Sequence, residues 1–87
     1  MYVRYDNLCL SKVEEIEEDV FNIPLKNGGD LCVSLDEEQV NMFFVPPDLW
    51  ELLSAGYSDD EAAPIVEMEQ EDEAHMIDYL MKASYQS

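Results

Sequence analysis

Two runs in which apolar and polar residues alternate flank Asn27-Gly28, and no other feature restricts the chain as strongly. Phe21, Ile23 and Leu25 share one parity, with Asn22, Pro24 and Lys26 between them. After Gly29-Asp30, Leu31, Val33 and Leu35 share another. A period of two marks half-buried strands, and Asn-Gly between two such runs predicts a β-hairpin. Glycine supplies the positive φ that the turn needs. Pro24 lacks an amide hydrogen, which predicts an edge position or a bulge for its strand.

The rest of the chain extends this pattern and then breaks it. Gln39–Val45 is rich in β-branched and aromatic residues and stops at Pro46-Pro47, which predicts a further strand. A short strand over Tyr2–Tyr5 is expected to extend the sheet. Ser11–Val20 fits two descriptions. Ser11 and Glu14 have capping-box spacing, with Val13, Ile16 and Val20 on one helical face; the same residues also suit a long strand running into Phe21. Beyond residue 46 the pattern turns helical. Pro47 suits a first turn, Leu49, Trp50, Leu52 and Leu53 form an apolar side, and Gly56 is a stop. Ser58-Asp59-Asp60-Glu61 repeats the capping-box spacing, and Pro64 either sits in that opening turn or splits the segment. From Glu67 onward Met68, His75, Met76, Tyr79, Leu80 and Ala83 are expected on one face, with Ile77 and Met81 at its edge. The expected fold is one α+β domain over residues 1–87: a small N-terminal antiparallel sheet with C-terminal helices packed on it.

Charge decides which partners such a domain can have. The chain carries 21 Asp and Glu against 4 Lys and Arg, a formal net charge of −17. Leu, Ile, Val and Phe still make up 23 of the 87 residues. That is above the roughly 20% below which highly charged chains fail to fold. An anion of this density repels DNA, RNA and anionic membranes, so direct nucleic-acid binding is excluded and basic partners are favoured. The acids come in bursts at Glu14–Asp19, Asp36–Glu38, Asp59–Glu61 and Glu67–Glu73, and four bases cannot neutralise them. Neighbouring carboxylates about 6 Å apart repel by about 0.7 kcal/mol even in bulk water. A function outside stability is the expected reason for keeping them.

Spacing suggests that function. Acids three or four apart on a helix lie about 5–6 Å apart, and alternate acids on a strand about 6.6–6.8 Å apart. These intervals are of the same order as phosphate separations along a nucleic acid. Glu67, Glu71 and Asp78 suit one helical flank, and Glu15, Glu17 and Asp19 one strand face. In size and charge the chain resembles the small acidic proteins by which phages and mobile elements block restriction enzymes, CRISPR effectors, repair glycosylases or nucleoid proteins. The resemblance implies a nucleic-acid mimic that occupies the DNA- or RNA-binding cleft of a basic host protein, in the host cytoplasm. Glu67, Glu69, Glu71, Asp72 and Glu73 are the expected main phosphate surrogates. Glu14, Glu15, Glu17, Glu18, Asp19, Asp59, Asp60 and Glu61 would support them, and Trp50 is the candidate for an exposed aromatic anchor where most aromatics are expected in the core. An alternative is an acidic interaction module, such as an immunity protein, antitoxin or adaptor, that binds a basic partner outside any nucleic-acid site. Monomer and dimer both remain open.

Catalytic and metal chemistry find little purchase. His75 is the single histidine, and no acidic burst has the Asp-x-Asp-x-Asp-Gly loop of an EF-hand. Cys9 and Cys32 sit among aliphatics, as buried reduced thiols do, without the electropositive neighbours that activate a nucleophile. Neither a phosphate-binding glycine loop nor a nucleotide fingerprint occurs. No catalytic residue, metal ligand or cofactor is expected, and a non-enzymatic protein is.

Overall fold

The computed structural model describes residues 2–86, apart from the side chains of residues 59, 60 and 84–86. Four strands form an antiparallel meander: β1 (Glu14–Glu17), β2 (Val20–Pro24), β3 (Asp30–Leu35) and β4 (Val40–Val45), in the order β1-β2-β3-β4. Three helices follow: α1 (Leu49–Ser54), α2 (Asp59–Ala62) and α3 (Gln70–Gln86). The fold is α+β, with the sheet N-terminal and α3 laid on one of its faces.

Alternation explains the core. Register aligns Phe21 with Val33 and Val33 with Met42, and a second row aligns Ile23 with Leu31 and Leu31 with Phe44. All except the half-buried Phe44 are buried, and Met76 and Leu80 of α3 close over them. Burying such a side chain is worth about 1.5–3 kcal/mol. The opposite sheet face carries Val20, Asn22, Cys32, Ser34 and Asn41, all half-buried, and Phe43, which is exposed.

The hairpin at Asn27-Gly28 is present with a longer loop than a two-residue turn. Pro24 pairs with Asp30, and Leu25 and Gly29 are linked by a 3.0 Å backbone bond. Gly28 and Gly29 have φ of 105° and 80°. Pro24 does not mark an edge strand, because β2 lies between β1 and β3. It is tolerated because β1 pairs only as far as Asn22, and beyond that point the Pro24 carbonyl accepts from the Cys9 amide at 2.8 Å.

Three segments depart from expectation. Tyr2–Tyr5 forms no strand; Tyr2 makes a single parallel bridge to Glu67, and a one-turn 3-10 helix follows over Tyr5–Asn7. Ser11–Val20 is neither helix nor one long strand. After a 3-10 turn at Leu10–Lys12, β1 runs to Glu17 and the chain reverses at Glu18-Asp19, where Asp19 has φ of 63°. Aspartate is among the few non-glycine residues that accept this conformation. A bulge between Glu15 and Glu17 leaves Ile16 unpaired and exposed. Finally, α1 buries none of its residues: Leu49, Leu52 and Leu53 are half-covered and Trp50 is open to solvent. Gly56 follows the end of that helix with φ of 95°.

The N-terminal segment works as a strap. Val3 bonds to Glu67 at one side, Leu8 bridges Leu25 at the other, and both apolar side chains enter the core. Pro64 ends the α2 segment, after which residues 64–66 run along the free edge of β4 through Phe44 to Pro64 and Val66 to Met42 bonds. The edge at β1 is left uncovered but acidic, which discourages pairing with another strand. In α3 the inward face is Met76, Ile77, Leu80 and Ala83. His75 and Tyr79 are exposed, against expectation.

Candidate acidic interaction surface

In a meander, consecutive turns alternate between the two ends of the sheet. The β1–β2 turn and the β3–β4 turn therefore share one end, opposite the glycine loop. Each carries an acidic burst: Glu17, Glu18 and Asp19 in one, Asp36, Glu37 and Glu38 in the other. All six are exposed. The two turns are about 10 Å apart, two interstrand spacings. Six carboxylates over a four-strand width of about 14 Å give one charge per roughly 2.4 Å, against one per 1.7 Å of axis in duplex DNA. No Lys or Arg occurs in residues 13–25 or 27–81, so neither turn carries a base.

Backbone bonds hold both turns. The Leu35 amide donates to the Asp19 carbonyl at 2.8 Å, extending the β2–β3 ladder past Val20 and Ser34. The Asp36 amide donates to the Gln39 carbonyl at 3.0 Å, and the Glu37 amide to Asp36 Oδ1 at 2.7 Å. The second bond, from the amide of the next residue, orients the Asp36 carboxylate. Between the turns lies a hollow of about 360 Å³, lined by Phe21, Leu35 and Val40 of the sheet and by Ile77 and Met81 of α3. Asp19, Asp36 and Glu37 form its rim.

The other predicted acids fall elsewhere. Glu14 and Glu15 continue the charge along the open β1 edge, but the bulge removes Glu15, Glu17 and Asp19 from a common strand face. Glu67 precedes α3 and pairs with the strap, so it does not share a helical flank with Glu71 and Asp78. Glu67, Glu69 and Glu71 are exposed beside the strap, whereas Asp72 and Glu73 are half-buried. Asp72 Oδ2 accepts from the Tyr5 amide at 3.1 Å, tying the strap to the first turn of α3. Glu69 accepts from the Tyr2 hydroxyl; partial desolvation and then this bond push that hydroxyl above 10.0. Asp72 is therefore a structural carboxylate. The acids near the start of α3 form a second patch, separated from the turns by the length of the helix from Gln70 to Met81, about 16 Å.

The Glu61 amide donates to Ser58 Oγ at 3.3 Å, half of the expected capping box. The side chains of Asp59, Asp60 and Tyr85 lie outside the described residues. Trp50 is 81% exposed between the exposed Asp48 and Glu51, a geometry that suits an anchor. Lys82 pairs with Asp78 at 3.0 Å on the outer side of α3, both well exposed. Such a pair is worth about 0.3–0.5 kcal/mol.

Among the described residues, no three His, Cys, Asp or Glu side chains are placed to hold a metal ion. His75 instead lies against the Tyr5 ring, with centroids 5.8 Å apart. Both cysteines are free, and both are half-buried where full burial was expected. No helix among the described residues is long and apolar enough to cross a membrane.

Sequence reasoning saw the burst at Asp36–Glu38 without joining it to Glu17–Asp19, and it missed the apolar wall between them. The available signal was the hairpin pattern itself, since four strands in meander order force the first and third turns together. No family model, curated protein or solved structure matches the chain.

Proposed function

We propose that the protein is a non-enzymatic inhibitor that occupies the nucleic-acid-binding cleft of a basic host protein, acting in the cytoplasm as the product of a phage or mobile element. The observation that carries this reading is the pole made by the two acidic turns. Six exposed carboxylates stand on a hydrogen-bonded sheet end, at about 70% of the linear charge density of a duplex and without a base on either turn. A cleft lined with Lys and Arg gains from such an array what it gains from phosphates: counterion release and fast, salt-sensitive association. Glu14 and Glu15 lengthen the array along the β1 edge, and Glu67, Glu69 and Glu71 add a second negative patch. Partners of the right chemistry are CRISPR effectors, restriction enzymes, repair enzymes and nucleoid proteins.

Charge reversal tests it. The partner is captured from bacterial lysate, identified by mass spectrometry, and its affinity for variants is measured. Glu18→Lys with Glu37→Lys should weaken binding by at least about tenfold more than Asp6→Lys with Asp30→Lys, because only the first pair meets the cleft. Equal losses would reduce the interaction to diffuse attraction.

A second reading, an acidic neutralising module that binds outside any nucleic-acid site, draws on the apolar hollow and on the bare indole of Trp50, since backbone phosphates offer neither. A ternary complex of the protein, its partner and DNA would favour it.

A further inference from the structure

We propose that the hollow between the acidic turns receives one long cationic side chain, a lysine or arginine, from the partner. This rests on the partner being basic, as both functional readings require, and it assigns the residue type that docks at this site. Leu35, Val40, Ile77 and Met81 present an apolar wall from two strands and α3, while Asp19, Asp36 and Glu37 stand at its mouth. That layout matches an amphipathic side chain, whose methylene stem lies on apolar surface while its charged head stays among carboxylates and water. A volume of about 360 Å³ accommodates such a side chain with solvent around its head.

Competing occupants fit less well. A neutral apolar group would cover the wall and leave three carboxylates uncompensated. An anion is repelled outright. A second copy of this chain brings another −17 charges and only four bases, of which Lys82 is already paired with Asp78. The rim is also built before a partner arrives. The Asp19 backbone is held by the Leu35 bond and the Asp36 carboxylate by the Glu37 amide, so little ordering is left for binding to supply.

The test is an NMR titration of the full chain with three blocked tripeptides: acetyl-Gly-Arg-Gly-amide, the same peptide with norleucine at the centre, and one with the stemless cation diaminopropionate. The arginine peptide should shift the Leu35, Val40, Ile77 and Met81 methyl signals saturably, with an affinity at least about fivefold above the other two. Asp19→Asn with Asp36→Asn should lower its affinity about fivefold. Asparagine tolerates the left-handed backbone at 19 and keeps a side-chain acceptor for the Glu37 amide at 36, so the remaining amide spectrum should be unchanged. If the double variant unfolds, the three-peptide comparison on the unaltered chain decides. Equal binding of the norleucine peptide would overturn the proposal, as would shifts spread over all exposed acids without methyl saturation. Methyl shifts that track protein concentration without peptide would assign the hollow to a second copy and overturn it too. Failure here leaves competition with nucleic acid untouched, and loss of that competition leaves the peptide result standing, so the two readings fail separately.

Discussion

The Leu35 amide reaches the Asp19 carbonyl at 2.8 Å, and this bond stitches the turn that closes β1 and β2 to the end of the strand that leads into the next acidic turn. Asp19 makes it from a left-handed backbone with φ of 63°. The residue therefore has two separable roles, a backbone conformation and a negative charge.

Substitution should separate them. Asp19→Ala should cost about 1–2 kcal/mol in urea denaturation, because alanine pays the left-handed penalty in full. Asp19→Gly and Asp19→Asn should fall within about 0.5 kcal/mol of the parent, since both tolerate that conformation. Equal stability of the alanine and glycine variants would mean that the turn relaxes without its positive φ.

The two glycines of the hairpin loop should differ in the same assay. A Cβ at Gly29 would stand 2.7 Å from the Phe44 ring and 3.0 Å from the Val45 carbonyl, whereas one at Gly28 would meet nothing within 4 Å. Both have positive φ, so each substitution carries backbone strain. Gly28→Ala should cost about 1 kcal/mol and Gly29→Ala about 2–3 kcal/mol, the excess being the displaced Phe44 ring.

Salt should stabilise the fold. One ion pair is present among the described residues against a net charge of −17, so like-charge repulsion dominates the surface. Raising salt from about 0.1 M to about 1 M shortens the screening length from about 10 Å to about 3 Å. The melting temperature should rise with sodium chloride; a fall would show that attractive pairs prevail.

Cys32 offers a probe of the outer sheet face. It is half-buried in the row between Asn22 and Phe43, and burial pushes its thiol above 9.0. In a Cys9→Ser chain, its alkylation rate should still be climbing beyond pH 9.0. The unfolded chain loses this proton more readily. The stabilising contribution of the neutral thiol is thus complete below the unfolded pKa and disappears as pH rises through the folded one. Alkaline pH should therefore lower the melting temperature of Cys9→Ser more than that of Cys9→Ser with Cys32→Ser.

The sheet was legible because its signal is local. Phe21, Ile23, Leu31 and Val33 alternate around two glycines, and their parity alone chose the buried face. Ser11–Val20 was not legible for the opposite reason. Its charged residues suit any exposed structure, and the reversal depends on Asp19 adopting a glycine-like backbone that composition does not announce. Pro24 misled because its tolerance depends on where the neighbouring strand β1 stops, a tertiary fact. His75 and Tyr79 were drawn onto the buried face of α3 by a helical period that fits two adjacent stripes equally well. The acidic bursts were plain in the sequence, but their grouping was not: it is the order of strands that joins residues 17–19 to 36–38 and separates both from residues 67–73.

Competition between this protein and nucleic acid for the captured partner tests the central claim most directly. With the complex immobilised through this chain, duplex DNA or single-stranded RNA is added at constant ionic strength, and the partner released is measured. Mimicry predicts that one of these nucleic acids releases it in a concentration-dependent manner, with no complex containing all three components. Retention of the partner together with bound nucleic acid, for both DNA and RNA, would contradict it.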